Sequence, residues 1–352
     1  MINEEAGMPA LVDILPNHRF DVAALTRYLR ERLPGFDGDV RIRQFQGGQS
    51  NPTYRINAGT HTYVLRKKPS GKLAPSAHAV EREYAVMSAL SSTEVPVPAM
   101  RLLCTDESVI GQTFVIMDYV PGRVFSKRDL PGIEPADRAS IYDAAVKTLA
   151  TLHRIDHRSV GLGEYGRPDG YVARTLSRWS RQYEQTKVEE NAAMDNVIAW
   201  LQRHVPTRER TSIVHGDCSL GNFIFHPVAP QAVALIDWEL STIGHPLADL
   251  AYFCIGYHLP PDDPRGLGNV DYRALGIPDE EAVVAAYSRY VEDDVTDWSF
   301  FLILSMFRMA AIRVGILRRA MDGNAADADA LAAGARYRGL ADATWHMARA
   351  LQ

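Results

Sequence analysis

The sequence predicts an α+β fold of two lobes, a small antiparallel sheet with one helix followed by a larger helical lobe. Up to about residue 120, short segments rich in β-branched or aromatic residues are bounded by Gly, Pro, Asn or Asp, as is typical of strands. After Pro121 and Gly122, apolar residues recur at helical spacing, as in Ile141, Ala145 and Leu149. A length of 352 residues is enough for two globular units.

The two lobes are expected over residues 1–117 and 118–352. In the first lobe the predicted strands are Val40–Phe45, Thr53–Ile56, Thr62–Arg66, Met100–Cys104 and Thr113–Tyr119, with a helix over Ala77–Leu90. In the second, besides the helix that contains Ile141, helices are predicted over Tyr171–Lys187, Asn191–His204, Leu247–Tyr257, Glu280–Val291, Trp298–Ala320 and Ala325–Ala350. Ser212–Val214, Phe223–Phe225 and Val233–Ile236 are predicted to form a short β-meander within that lobe.

Composition and charge exclude several classes of protein. Hydrophobic residues make up 46% of the chain and charged residues 23%, which argues against a disordered or fibrous protein. The formal net charge is -5 and no basic block is present, so nucleic acid is not expected as a partner. The acidic N-terminus does not resemble a signal peptide. We therefore expect a cytoplasmic protein; the sequence leaves its oligomeric state open.

The longest apolar stretch, Phe300–Leu317, contains two arginines, Arg308 and Arg313. Charges at that depth disfavour a membrane span and favour a buried core helix, so no membrane partner is expected. The two arginines lie about 140° apart around an ideal helix and cannot face the same point. The favoured interpretation of a buried guanidinium is an internal ion pair with an Asp or Glu of a neighbouring helix, and the alternative is that one arginine faces an anionic acceptor.

Two short motifs carry residues suited to phosphoryl transfer. His215 to Asn222 spell HGDCSLGN, and Leu235 to Glu239 spell LIDWE. Asn222 and Asp237 offer the hard oxygen ligands that Mg²⁺ prefers. Asp217 is then available to accept a proton from an acceptor hydroxyl, while the other two hold metal against phosphates.

Together with GHPLADLA at 244–251, these motifs resemble the aminoglycoside-phosphotransferase-like small-molecule kinases in order and spacing. The resemblance implies a bilobal protein-kinase-like fold, ATP and Mg²⁺ as cofactors, Asp217, Asn222 and Asp237 as catalytic residues, and Asn222 and Asp237 as metal ligands. A carboxylate at a helix start more often caps the helix or anchors the amides of a neighbouring loop, so Asp249 is expected to brace the catalytic loop, with a third metal ligand as the alternative. His215 is expected to fix the loop geometry. Segments such as YVLRKKPSGK are most similar to the kinase-like domain fused to some acyl-CoA dehydrogenases.

The resemblance extends to the N-terminal half, where it implies a nucleotide site. Gly47, Gly48 and Ser50 lie in a loop between two strands, where small residues allow backbone amides to approach phosphates. An ordinary hairpin turn would explain the same letters. In the segment DYVPG at 118–122, which matches the hinge between the lobes of the family, the backbone of Asp118 and Val120 would hydrogen-bond adenine.

The phosphate-binding cation departs from the commonest family pattern. Arg66 stands where the family usually has Lys, with Glu83 on the next helix as its expected partner and Val64 covering one face of the base. Strand alternation places Arg66 and Lys68 on one face, so Lys68 remains the second choice.

Asp237 lies only 12 positions before Asp249, which leaves too little chain for the activation segment of a protein kinase. The expected partner is therefore a small-molecule hydroxyl acceptor. The resemblance implies a hydroxy acid or a hydroxyacyl-CoA, with an aminoglycoside less favoured. A nucleotide-binding pseudokinase that serves as a regulatory module is the alternative, and the choice between ATP and GTP stays open.

Overall fold

The computed structural model describes residues 10–46, 51–69, 79–323 and 329–351. They form two compact units: one contains residues up to Ser126 together with Gly221–Ser241, and the other contains Lys127–Leu220 and the chain from Thr242 onward. The predicted boundary at 117/118 differs from this division. Backbone hydrogen bonds explain the difference, because Arg123 and Phe225 pair in an antiparallel bridge and Leu235 donates to the carbonyl of Pro96.

The first unit contains a six-stranded antiparallel sheet in the order β1-β2-β3-β4-β6-β5. Strands β2 and β5 have the predicted bounds, and the other predicted strands agree to within two residues. The strands are β1 (Leu11–Val12), β2 (Val40–Phe45), β3 (Thr53–Ala58), β4 (His61–Lys67), β5 (Met100–Cys104) and β6 (Phe114–Asp118).

Two helices accompany the sheet, α1 (Val22–Arg32) and α2 (Val80–Leu90). Helix α1 was not predicted. The side chain of Asp21 caps it by accepting a hydrogen bond from the Ala24 amide, and Leu25 and Leu29 bury its apolar face against the sheet core. Helix α2 corresponds to the helix predicted over Ala77–Leu90, of which residues 77 and 78 lie outside the described ranges.

Two further two-stranded ladders replace the predicted meander. In the first unit, β8 (Phe223–Phe225) pairs with β9 (Ala232–Leu235). In the second, β7 (Ser212–Val214) pairs with β10 (Thr242–Gly244). The meander prediction is therefore wrong. The partner of β7 lies far along the chain, in a segment for which no strand was predicted.

The second unit is built from eight helices in the part of the chain that the structure describes. They are α3 (Pro135–Arg154), α4 (Tyr171–Thr186), α5 (Ala192–Arg203), α6 (Leu247–Cys254), α7 (Glu280–Val291), α8 (Trp298–Met321), α9 (Ala330–Ala335) and α10 (Tyr337–Arg349). Residues 325–328 of the single helix predicted over Ala325–Ala350 lie outside the described ranges, and the rest of it is divided into α9 and α10. A Cβ at Gly334 would meet Leu317 at 2.7 Å, which shows how closely α9 approaches α8.

Helix α8 is the central helix of this unit and packs against α4, α5, α6, α9 and α10. Within the described ranges it is the one helix long and apolar enough to cross a membrane, and 83% of its most apolar window is buried inside the structure. Arg313 forms a buried ion pair with Asp263. The predictions of a core helix and of an internal ion pair are confirmed, but the acid lies in the loop between α6 and α7 and not on a neighbouring helix.

Candidate active site

The first unit contains a cavity of about 420 Å³, a volume that suits a small ligand. Its apolar part is formed by side chains such as Met87, Met117, Ile224 and Ile236. Charged and amide groups line the rest of it. The residues predicted from the sequence that line it are Val64, Arg66, Glu83, Asp118, Val120, Asn222 and Asp237.

Strand β4 explains why Val64 and Arg66 share this cavity. Side chains alternate along a strand, and Tyr63, Leu65 and Lys67 are buried on its opposite face. On that face the ammonium group of Lys67 donates a hydrogen bond of 3.1 Å to the side-chain oxygen of Gln112.

Arg66 is held by three carboxylates of the same unit. Its Nε lies 3.0 Å from Glu83, and its Nη2 lies 2.6 Å from Asp237 and 3.4 Å from Glu239. Lys68 instead pairs with Glu81 and does not line the cavity. Of the two candidate cations, Arg66 is therefore the one placed in the cavity wall, with Glu83 as the predicted partner.

Burial and charge act in opposite directions in this cluster. Burial tends to lower the pKa of Arg66, but the nearby carboxylates raise it above its usual value, so the guanidinium stays charged. Burial raises the pKa of Glu83 to about 7, against the lowering effect of Arg66. The carboxamide of Asn51 donates a hydrogen bond of 3.0 Å to Glu83 and adds to that lowering effect.

The β8–β9 ladder brings Asn222 and Asp237 to the same cavity. Asn222 directly precedes β8, and its carbonyl accepts a hydrogen bond of 2.9 Å from the Ile236 amide. Asp237 has a left-handed backbone (φ 68°), which Asp tolerates better than most residues and which turns the chain sharply after β9.

These two side chains fit the requirements of Mg²⁺. Among the described residues, no group of three or more His, Cys, Asp or Glu is arranged to hold a metal. Mg²⁺ does not need such a group, because it commonly keeps several waters and binds one or two protein oxygens together with substrate phosphates. A carboxamide and a carboxylate on one cavity wall suit that mode.

Asp217 belongs to the second unit, in a loop that follows β7. The amides of His215 and Gly216 donate hydrogen bonds of 2.6 Å and 2.8 Å to the buried carboxylate of Asp249 on α6. The amide of Asp217 donates to Nδ1 of His215 at 3.2 Å. Both expectations for this loop are confirmed: Asp249 braces the amides, and His215 fixes the local geometry.

The pKa of Asp249 reflects this arrangement. Burial alone would raise the pKa, but His153, whose Nε2 lies 3.3 Å away, and the loop amides hold it below its usual value. Asp249 is therefore a carboxylate at neutral pH, as its role as acceptor requires.

Sequence reasoning missed several groups near Asp217. Tyr252, three residues after Asp249, lies near Asp217: burial first, and then the negative charge of Asp217, raise the pKa of its phenol. Nη2 of Arg308 donates to the Gly216 carbonyl at 2.8 Å. In the first unit it missed Glu239, although LIDWE contains it. Helical spacing from Asp249 could have indicated Tyr252.

The structure therefore places the predicted site residues in two different units. The nucleotide and metal candidates share one cavity in the first unit, and Asp217 lies in the second unit, five residues before Asn222 along the chain. Gly47, Gly48 and Ser50 fall outside the described residues.

Comparison with known proteins agrees with the motifs. The model of the Phosphotransferase enzyme family matches residues 41–295. Acyl-CoA dehydrogenase family member 11 of Rattus norvegicus is 41% identical over 326 residues, covering 90% of this chain and 42% of that protein. The chain thus spans about two fifths of this curated relative.

Solved structures show the same architecture. A candidate aminoglycoside phosphotransferase from Ralstonia eutropha is 45% identical with a TM-score of 0.86, covering 94% of this chain and 99% of that one. A thermostable mutant of aminoglycoside phosphotransferase APH(4)-Ia, solved with AMP-PNP and hygromycin B, is 17% identical with a TM-score of 0.58, covering 92% and 99%. The first unit's sheet and cavity, the second unit's helices and the matched family model lead to one conclusion: this chain belongs to the phosphotransferase enzyme family.

Proposed function

We propose that this protein is an ATP- and Mg²⁺-dependent phosphotransferase that moves the γ-phosphate to a hydroxyl of a small molecule. The observation that carries the proposal is the shared cavity of Arg66, Glu83, Asn222 and Asp237. Family membership supports it. A protein of the same fold has been solved with an ATP analogue, which further supports nucleotide use.

The cavity residues take distinct roles in this proposal. Val64 would cover the base, while the backbone of Asp118 and Val120 would bind its edge. The side chain of Asp118 is engaged by Arg101 at 2.6 Å, so a role for its backbone is the consistent one. Arg66, oriented by Glu83, would donate to phosphate oxygens.

Asn222 and Asp237 would hold Mg²⁺, which neutralises charge on the phosphates when bound. Asp237 now bonds Arg66, and that bond would have to lengthen for its oxygen to serve the metal. In the transfer step, the acceptor oxygen forms a bond to the γ-phosphorus, the bond from that phosphorus to the bridging oxygen of ADP breaks, and Asp217 takes the hydroxyl proton.

The acceptor is proposed to be a hydroxy acid or a hydroxyacyl-CoA. The short segment between Asp237 and Asp249 favours a small acceptor over a protein. The relative from Rattus norvegicus carries an acyl-CoA dehydrogenase name, and this chain matches two fifths of it. That association favours acyl-type acceptors over aminoglycosides.

A mass-shift screen tests both parts of the proposal. The full chain, with ATP and Mg²⁺, would be incubated with hydroxy acids, hydroxyacyl-CoA thioesters and hygromycin B. We expect the mass of one phosphoryl group to be added to members of the first two classes. Transfer to hygromycin B alone would make the protein an aminoglycoside kinase. Tight nucleotide binding without consumption of ATP would favour the pseudokinase alternative.

A further inference from the structure

We propose that Arg308 is a positioning residue for Asp217, because its guanidinium holds the peptide group that precedes the proposed base. This inference goes beyond the proposed function and rests on it in one respect, the assignment of Asp217 as the base. All the groups concerned lie in the second unit.

The loop that contains His215, Gly216 and Asp217 is held in place through its backbone. Asp249 accepts the amides of the first two residues. The peptide group between Gly216 and Asp217 is bonded at both ends: its carbonyl accepts from Nη2 of Arg308 at 2.8 Å, and its N–H donates to Nδ1 of His215 at 3.2 Å. Rotation of that peptide plane would break both bonds.

The conformation of Gly216 makes such a restraint useful. Its φ of +84° lies in the left-handed region, where glycine moves among several states at little cost. A residue with that freedom directly before Asp217 would allow the carboxylate to swing. The bond from Arg308 selects one orientation of the peptide, and therefore one direction for the Asp217 side chain.

Arg308 is itself held in place by aromatic rings. Its guanidinium carbon lies 5.5 Å from the ring centre of Trp179 on α4 and 5.1 Å from that of Tyr252 on α6. The same Tyr252 lies near the Asp217 carboxylate, whose negative charge adds to burial in raising the pKa of the tyrosine. One aromatic side chain thus connects the arginine that holds the peptide to the acid that follows it.

The contrast with Arg313 on the same helix supports a local role. Arg313 is paired with the buried carboxylate of Asp263, as a purely structural arginine would be. Among the described residues, Arg308 contacts the faces of two aromatic rings and a carbonyl of the loop that carries the proposed base. Its position therefore matches the needs of that loop.

The test compares Arg308→Met with a matched control on the same helix. Arg318 also donates to a backbone carbonyl, that of Lys187 at 2.6 Å, far along α8 from the loop. We expect Arg308→Met to lower kcat about 10- to 100-fold, the loss typical of a displaced catalytic group. The KM values for ATP and acceptor should stay within about threefold, and Arg318→Met should resemble the wild type.

A conservative variant separates positioning from general damage to the fold. Lys in place of Arg308 retains a donor for the Gly216 carbonyl, so Arg308→Lys should recover part of the lost kcat. Tyr252→Phe, which removes only the hydroxyl, should lower kcat without changing the KM for ATP. A higher acceptor KM at unchanged kcat would overturn the proposal, because the guanidinium would then bind the acceptor.

Hydrogen exchange supplies a readout that does not depend on the acceptor. We expect the amides of 215–217 to exchange at least about tenfold faster in Arg308→Met than in the wild type or in Arg318→Met. If the wild type transfers phosphate to no acceptor, the proposed function fails, while this comparison still decides whether Arg308 orders the loop. Equal exchange rates in all three proteins would overturn the proposal.

Discussion

The buried side chain of His245, two residues before α6, should make the stability of the protein depend on pH. It is 4% exposed, its ring stacks on Phe301 at 4.1 Å, and its Nδ1 accepts a hydrogen bond of 3.3 Å from the Leu247 amide. Burial lowers its pKa to about 3, with Arg210 and Arg208 among the nearby positive charges that add to the effect. In the folded protein the imidazole of His245 is therefore neutral.

The sign and size of the effect follow from linkage. Between the unfolded pKa of about 6.5 and the folded value, the unfolded state binds more protons, so stability is complete above pH 6.5 and falls as the pH drops. The loss is about 1.4 kcal/mol per pH unit, or about 2 kcal/mol between pH 7.5 and pH 5.0, and it ends near the folded pKa.

The assay is urea unfolding followed by circular dichroism at several pH values. His245→Asn keeps a short acceptor for the Leu247 amide and removes the titration, so the variant should lose about 2 kcal/mol less than the wild type between pH 7.5 and 5.0. His346, exposed on α10, provides the matched control, and His346→Asn should follow the wild-type pH dependence. If His245→Asn lost as much stability as the wild type over this range, the reasoning would be refuted.

Three further predictions concern the proposed reaction. Asp217→Asn should keep ATP binding but lose about 10² to 10⁴ in kcat, since a carboxamide cannot accept the proton; a rate within a few-fold of wild type would place the base elsewhere. Asp237→Ala should abolish the gain in ATP affinity that Mg²⁺ provides, measured by calorimetry with and without the metal, and an unchanged gain would remove Asp237 from the metal site. Arg66→Met should weaken ATP binding about 10- to 100-fold, as expected for loss of a charged hydrogen bond, whereas Lys68→Met should change it by less than about threefold; the reverse order would make Lys68 the phosphate ligand.

The sequence predicted correctly those secondary-structure elements that depend on neighbouring residues in the chain. The strands β2 and β5 have their predicted bounds because alternation and flanking turn residues are local signals. The predicted contact of Arg66 with Glu83 was also found, since strand alternation and the following helix limit where the two can meet.

Features that depend on distant partners could not be predicted in this way. Strand β10 was missed because its partner, β7, lies about 30 residues earlier in the chain and nothing local indicates the pairing. The helical angle between Arg308 and Arg313 showed that they face different directions. Only the folded structure shows which one meets Asp263 and which one meets the Gly216 carbonyl.

The first unit includes Gly221–Ser241, a segment from the middle of the chain, and this limits how the chain can fold during synthesis. The ribosome releases residues in order, and domains generally fold as units once their whole sequence has emerged. The first unit cannot be complete until Ser241 has left the ribosome, by which time Lys127–Leu220 of the second unit has already been made. A fragment that ends at Ser126 would leave the edge formed by Arg123 without its pairing partner and would lack both proposed metal ligands. The unit proposed to bind nucleotide is therefore not a detachable N-terminal module, and neither unit can be exchanged between relatives by a single crossover in the gene.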